Sequence, residues 1–185
     1  GSEPSIPSEV LTDEKNILSS TGALSLDKVP SHLVIIGAGY IGLEMGSVWS
    51  RLGSKITVIE YEDHILPNMD REVAKNFQKI LIKQGFDFKL STSFNKVIKQ
   101  NDKLSVQIEN DGQTLEVDCD KILISMGRKP YSYGLNLENI GVELLWSVGG
   151  DKKLASSSDL VERVREFDTP ERIAPVRTTP RVSEK

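Results

Sequence analysis

The sequence predicts an α/β fold in which a parallel sheet is flanked by helices and carries an antiparallel three-stranded meander. Three observations predict it. A strand, a helix and a second strand follow one another between Leu33 and Glu60. Three β-like stretches then lie in a row between Phe94 and Val117, with turn residues at the breaks. An apolar run of buried type, Ile122 to Met126, closes the pattern.

From Gly1 to Pro30 the chain is rich in Ser, Pro, Thr and Asp, with only the apolar pairs Val10-Leu11 and Ile17-Leu18, and it reads as an extended lead-in. Leu33-Val34-Ile35-Ile36, between Pro30 and Gly37, is the run of a strand buried on both faces. Ile41 to Leu52 reads as a helix closed by Gly53, and Lys55 to Glu60 as a β-branched second strand. Asp70 is placed to cap a helix with Val73, Ala74, Phe77, Ile80 and Leu81 on one face and Gly85 just past its end. Phe86 to Leu90 follows as a third strand. The meander comprises Phe94 to Lys99, Leu104 to Glu109 and Leu115 to Val117, with Asn101-Asp102 and Asp111-Gly112 at the hairpin positions. After Val142 the character changes. Gly149-Gly150-Asp151 reads as a turn, and a short helix is expected with Leu160, Val161, Val164 and Phe167 on one face. The segment from Asp168, punctuated by Pro170, Pro175 and Pro180, is expected to be disordered. The organisation is thus a lead-in over 1–30, a domain over 31–143 and a tail over 144–185.

Bulk properties exclude several classes of function. The net charge is −4 over 185 residues, with acidic and basic residues interspersed, so no basic footprint points to nucleic acid or to an anionic membrane. No apolar run approaches the roughly 18 residues that span a bilayer, and the N-terminus lacks the regions of a signal peptide. Cys119 is the single cysteine, which excludes an intrachain disulfide and a multi-cysteine metal site and points to a reducing compartment. It reads as a small, half-buried thiol. His32 and His64 lack metal-ligand spacing, and Ser47 and Ser50 lack acid-base partners, so neither a metal nor a nucleophile is expected.

The chemistry lies at the first strand-helix junction. Gly37-Ala38-Gly39-Tyr40-Ile41-Gly42 has the spacing Gly-x-Gly-x-x-Gly between a strand and a helix. In that context Gly37 allows a tight turn, Gly39 lets the backbone approach a pyrophosphate, and Gly42 lets the helix pack closely on the strand. The helix N-terminus offers amides and a partial positive charge to the phosphates, which is how an acidic domain would hold a dianion. Glu60, 18 residues after Gly42 and at the end of the second strand, is placed to accept hydrogen bonds from the adenosine ribose. The reading is a Rossmann-like, dinucleotide-binding domain. It should prefer NAD to NADP: a 2′-phosphate would sit beside Glu60, near Glu62 and Asp63, with no arginine between Glu60 and Asp70. Two unit charges about 4 Å apart repel by roughly 4 kcal/mol at an effective dielectric near 20, and even half of that discriminates by more than tenfold.

The segment from Gly1 to about Val142 resembles the central NAD-binding domain of dihydrolipoyl dehydrogenase, a flavin-dependent pyridine nucleotide-disulfide oxidoreductase. The resemblance rests on Ser19-Ser20-Thr21-Gly22-Ala23-Leu24, on Gly37 to Glu44, and on Gly46-Ser47-Val48-Trp49-Ser50-Arg51-Leu52-Gly53. It continues through Ile65-Leu66-Pro67 with Asp70 and Gly127-Arg128-Lys129-Pro130, and ends at Leu137 to Val142. It implies that Gly37, Ala38, Gly39, Tyr40, Ile41, Gly42, Leu43 and Glu44 contact the pyrophosphate and the nicotinamide side of NAD, and that Glu60 contacts the adenosine ribose. It further implies an apolar neighbour for the adenine at Phe94 and a close passage of the chain past the nicotinamide half at Gly127. Gly1-Ser2-Glu3-Pro4 resembles the end of a flavin-contacting crossover, which makes Gly1 and Ser2 a remnant of an FAD site; a Gly-Ser start is also what a cloning scar leaves.

The departures from the family bound the activity. The family passes electrons from dihydrolipoamide to a Cys-x-x-x-x-Cys pair, then to FAD and then to NAD. This chain has Cys119 alone and shows neither a flavin-binding half nor the interface domain with its His-Glu pair. The resemblance therefore implies an NAD(H)-binding domain that is not expected to turn over alone, with FAD needed only in the complete parent enzyme. The implied partners are the missing flavin and interface domains or a partner chain, in a bacterial cytoplasm or a mitochondrial matrix. The alternative reading is a non-catalytic NAD-binding or protein-interaction module. The Ser147 to Asp151 stretch reads as an ordinary turn, not as a second flavin-contacting strand.

Overall fold

The computed structural model describes residues 1–8, 10–100, 103–136 and 139. The expected Asn101-Asp102 turn, the turn at Gly149, the short helix with Leu160 to Phe167 and most of the Leu137 to Val142 motif lie outside the described residues. Gly1–Ser132 is one compact unit and Tyr133–Lys185 a second, and the elements below belong to the first.

In chain order the elements are β1 (Ser2–Pro4), β2 (Ile17–Leu18), α1 (Ser20–Ala23), β3 (His32–Ile36), α2 (Tyr40–Arg51), β4 (Lys55–Ile59), α3 (Arg71–Lys83) and β5 (Phe86–Lys89). There follow β6 (Ser93–Gln100), β7 (Lys103–Asn110), β8 (Gln113–Cys119), β9 (Lys121–Ile124) and β10 (Arg128–Pro130). The central sheet has the order β2-β9-β3-β4-β5 with every pair parallel. β6, β7 and β8 form the antiparallel meander, and β1 pairs with β10.

The side-chain period of two explains why the central strands are apolar throughout. Leu33 and Ile35 on β3, Ile56 and Val58 on β4 and Leu123 on β9 join a core with Leu43 and Trp49 of α2 and Ala74 and Leu81 of α3. The alternate residues Val34, Ile36, Ile59, Ile122 and Ile124 join a second core with Leu104, Val106 and Ile108 of β7. One face of the sheet is thus covered by helices and the other by the meander, so no position in these strands can be polar without a partner. Thr57 meets that condition with its hydroxyl 2.9 Å from His32 Nε2.

The predicted strands and helices that fall within the described residues stand within a residue or two of their expected bounds, and the local signals act as physical chemistry requires. Asp70 caps α3 by accepting from the Glu72 and Val73 amides. Gly53 and Gly85 follow their helices at φ +108° and +94°, which only glycine adopts without strain. Asp111 and Gly112 both have positive φ, the signature of a two-residue hairpin turn matched to strand twist.

The lead-in is where the structure departs from the expectation of extended chain. Ile17–Leu18 pairs in parallel with β9 and forms an edge of the central sheet, and Ser19 caps the helical turn of α1. Two residues are too few to show a period, so the strand is invisible to periodicity. Its position is held by Asp13, whose Oδ1 accepts from the Lys15, Asn16 and Ile17 amides.

Candidate functional site

A cleft of about 1190 Å³ opens at the carboxyl ends of β3, β4 and β9. The sheet order makes this the expected place: from β3 the chain runs to β4 on one side, while β9 lies on the other, so the connections diverge between β3 and β9 and leave a crevice. The turn from Gly37 to Gly39 forms its floor.

Most backbone polar groups of that turn are engaged from the ends of the flanking strands and from the loop at Leu66. The Gly37 amide donates to Ile59 O at 2.8 Å, and Ala38 O accepts from the Leu66 amide at 2.9 Å. The Ala38 amide donates to Glu60 Oε2 at 2.6 Å. The Ser125 hydroxyl lies 3.0 Å from both Ile36 O and Gly37 O and shares its proton between them. The amides of the next turn are different. Gly39 is the N-cap of α2 with no side chain to cap it and no acidic residue in the first turn, and the first amide bonded back into the helix is that of Leu43, to Gly39 O. The amides of Tyr40, Ile41 and Gly42 therefore point out of the helix end with no acceptor inside it. α3 carries both devices that α2 lacks, the Asp70 cap and Glu72 in the first turn.

The glycines have separable reasons. A Cβ on Gly39 would meet nothing within 4 Å, so this position is open toward the cleft rather than crowded by the fold. A Cβ on Gly37 would lie 2.6 Å from Ser125 O, and φ is +101°. A Cβ on Gly42 would lie 2.5 Å from both Gly37 O and Ser125 Oγ, with Ile35 Cγ2 at 3.0 Å. Gly42 thus makes room for the phosphate turn and for Ser125 as well as for the strand. The contact of helix on sheet is closest one turn further on, where a Cβ on Gly46 would be 2.9 Å from Ile35 Cδ1 and from Phe86 Cε1.

Glu60 directly follows β4 and is 9% exposed. Its second oxygen, Oε1, accepts from the Glu62 amide at 3.0 Å. Each carboxylate oxygen has two acceptor sites, so both keep capacity for a ligand hydroxyl. The loop from Leu90 to Thr92 is tied to this strand end: the Thr92 amide donates to Glu60 O, and Asn110 Nδ2 on the meander reaches Leu90 O, Ser91 O and Thr92 Oγ1.

Of the residues singled out from sequence, Gly37, Gly39, Tyr40, Ile41, Leu43, Glu44, Glu60, Phe94 and Gly127 line the cleft. Ala38 and Gly42 lie beneath it, buried, and act through the turn. Gly1 and Ser2 stand apart from the lining: Gly1 O accepts from the Tyr131 amide, and Ser2 pairs across β1 and β10 with its Oγ accepting from Arg128 Nε. Sequence reasoning missed Ser125, Met126, Tyr61, Thr92 and Met69, which also line the cleft. The available signal was positional. Residues just beyond adjacent parallel strands face a crevice, and Ser125 and Met126 follow β9 directly.

The next arginine after Glu60 is Arg71, whose Nη1 lies 3.2 Å from Asp63 Oδ2 and which does not line the cleft. Hydrogen bonds from His64 and Arg71 hold the Asp63 carboxyl below its usual range. Cys119, on β8, is half-buried away from the cleft. Burial, followed by the charges of Asp120 and Asp118, pushes its thiol up to about 12. Among the described residues no group of three His, Cys, Asp or Glu side chains could hold a metal, and no helix is long and apolar enough to cross a membrane.

Residues 1–160 match the family described as pyridine nucleotide-disulphide oxidoreductase. The mitochondrial dihydrolipoyl dehydrogenase of Pisum sativum is 52% identical over 136 residues, which cover 72% of this chain and 27% of that protein. Dihydrolipoyl dehydrogenase 3 of Pseudomonas putida is 50% identical over 145 residues, covering 77% of this chain and 31% of that one. Among solved structures, the HOCl-induced flavoprotein disulfide reductase RclA of Escherichia coli superposes with a TM-score of 0.67 at 32% identity, covering 78% of this chain and 33% of that one. The chain spans less than a third of the length of either dihydrolipoyl dehydrogenase.

Proposed function

Because the chain belongs to the pyridine nucleotide-disulphide oxidoreductase family, we propose that its Gly1–Ser132 unit is the NAD(H)-binding domain of a dihydrolipoyl dehydrogenase-like flavoprotein. The observation that carries this reading is the contrast at the phosphate turn. Groups of the turn that face the fold are satisfied by Ile59, Glu60, Leu66 and Ser125, while the first-turn amides of α2 are uncapped and lie at a cleft. A helix end in that state is built for an anion, since unpaired amides and the helix dipole both favour negative charge.

The cleft residues fit the rest of the cofactor. Gly37, Gly39, Tyr40 and Ile41 would hold the pyrophosphate, with Ala38 and Gly42 shaping the turn from below. Glu60 would accept from the adenosine ribose hydroxyls, and Phe94 would pack against the adenine. Leu43, Glu44 and Gly127 would border the nicotinamide half. In the parent reaction electrons would pass from dihydrolipoamide to a redox-active cysteine pair, from the resulting dithiol to FAD, and then to NAD, for which the bound nicotinamide would supply the hydride acceptor. This chain's own work in that sequence is to bind and orient, because its one thiol is held protonated at neutral pH and lies away from the cleft. Gly1 and Ser2 would stand where the parent chain arrives from its flavin site, and FAD and the flavin and interface domains are assigned to the parent.

The cofactor preference follows from the same geometry. A 2′-phosphate would lie against a buried carboxylate, and the nearest following arginine is already paired with Asp63. Titration with NADH and NADPH, followed by nicotinamide fluorescence, tests this. NADH is expected to saturate, and NADPH to bind at least tenfold more weakly. Absence of a saturable NADH signal would overturn the cofactor reading, and equal affinities would overturn the charge argument.

A further inference from the structure

We propose that Glu60 is, besides a ribose ligand, the positioning residue that sets the phosphate turn, so that cofactor selection and pyrophosphate binding act through one carboxylate. The inference rests on the reading of the cleft as an NAD site and adds to Glu60 a role that the ribose contact does not require.

The carboxylate stands between two backbone segments that are also tied by the Gly37 amide to Ile59 O bond, and it is the tie at the Ala38 amide itself. Oε2 takes the Ala38 amide at 2.6 Å, and Oε1 takes the Glu62 amide at 3.0 Å. Ala38 is the residue between the first two glycines of the phosphate turn and is fully buried, as Glu60 nearly is. Water is therefore poorly placed to replace Glu60 at the Ala38 amide, and losing the carboxylate would leave a buried donor unsatisfied. The amides that would bind phosphate, those of Tyr40, Ile41 and Gly42, begin two residues on. A shift of the Ala38 peptide would turn them away from a common focus, because Gly37 and Gly39 on either side offer little resistance to rotation.

An ionised carboxylate is the group suited to this position. It accepts at both oxygens and donates at neither. Glutamine has nearly the same shape, but its amide nitrogen would face one of the two backbone amides, donor against donor. The consequence for specificity is direct. A replacement that removes the charge to admit a 2′-phosphate also loosens the turn, so Glu60→Ser should relieve the repulsion without binding NADPH as tightly as the parent chain binds NADH.

Two measurements on the full chain test the proposal. In the first, wild type and Glu60→Gln are titrated with NADH and with an NADH analogue that lacks both hydroxyls of the adenosine ribose. A residue that acts only through the ribose loses its effect on the analogue. A positioning residue keeps one, and Glu60→Gln is expected to weaken the analogue on the order of tenfold. In the second, amide hydrogen exchange is measured without any cofactor. The Ala38 amide should exchange at least tenfold faster in Glu60→Gln, while the Ile35 and Val58 amides in the sheet keep their protection, which also shows that the variant is folded. Analogue affinities equal within twofold, or unchanged Ala38 exchange in a folded variant, would overturn the positioning role. Failure of the wild type to bind NADH would overturn the cofactor reading instead, and the exchange experiment would still decide whether Glu60 braces the turn.

Discussion

Individual side chains here divide into those that face the cleft and those that make its backbone hold still, and the second kind is the harder to find from sequence. Ser125 lies 83 residues beyond Gly42, and no spacing rule connects them, yet its hydroxyl occupies the space that a Cβ on Gly42 would need. Glu60 was legible as a charge at the right distance, but its bonds to the Ala38 and Glu62 amides depend on a turn that only the fold creates. Cys119 is the reverse case, a chemically tempting residue that its surroundings silence. Burial, reinforced by Asp120 and Asp118, raises its thiol from the ordinary 9.0 to about 12. A group whose folded value is raised contributes its stability below the unfolded value and loses it as pH climbs toward the folded one. The stability that Cys119 confers on the wild type over Cys119→Ala should therefore be constant up to about pH 9 and shrink between pH 9 and about 12. Urea unfolding of both chains at pH 8 and at pH 10.5 would show it. At pH 8 an aromatic disulfide reagent should label the native thiol far more slowly than the unfolded one, and equal rates would refute the assignment.

At the scale of elements, the two long helices show how one local rule serves two ends. α3 is capped by Asp70 and carries Glu72 in its first turn, the arrangement that sequence reasoning predicts for a stable helix start. α2 begins at Gly39 with neither. A glycine N-cap leaves a helix only about a few tenths of a kcal/mol less stable than a side-chain cap, so α2 keeps its first amides free for an anion at little cost to the fold. Gly39→Asp tests this by supplying the cap. Gly39 has φ −73°, and nothing lies within 4 Å of an added Cβ, so the fold should accept aspartate. Thermal unfolding of the free chain is expected to be unchanged or shifted upward, while NADH binding falls by two orders of magnitude or more, since a carboxylate would occupy the amides and repel the pyrophosphate. Undiminished NADH affinity in a folded Gly39→Asp chain would mean that the phosphate binds elsewhere. The elements themselves were legible wherever a run was long enough to show its period, as in Lys55 to Glu60 or the face of α3. β2 was not, because two residues beside a polar loop carry no pattern, and its strand character comes from pairing with β9.

For the molecule as a whole, the layering separates what stabilises the fold from what binds. Leu33 to Ile36 read correctly as a strand buried on both faces, but the sequence had no means of showing that α2 and α3 would cover one face and the meander the other. Nor could it show that the cleft would be assembled from residues as distant as Tyr40, Glu60 and Ser125. The strand order supplies that, by placing β9 beside β3. Leu81, near the end of α3, packs in the helix-side core at 1% exposure. α3 runs antiparallel to the strands it joins, so its end lies toward the start of β5 and away from the carboxyl-end cleft. Leu81→Ala should therefore lower unfolding stability by about 2–5 kcal/mol through lost burial and a residual cavity. NADH at a hundred times its dissociation constant should add about 2.7 kcal/mol to the wild type by mass action. It should add nearly the same amount to Leu81→Ala, because Leu81 does not itself line the cleft and meets it only through the shared core, whose Leu43 and Phe77 reach the lining. Urea unfolding of both chains with and without NADH measures all four corners of this cycle. An NADH increment in the variant that differed by more than about 0.5 kcal/mol would show that the helix-side core and the cleft are coupled, and would make the packing of α3 part of the binding site.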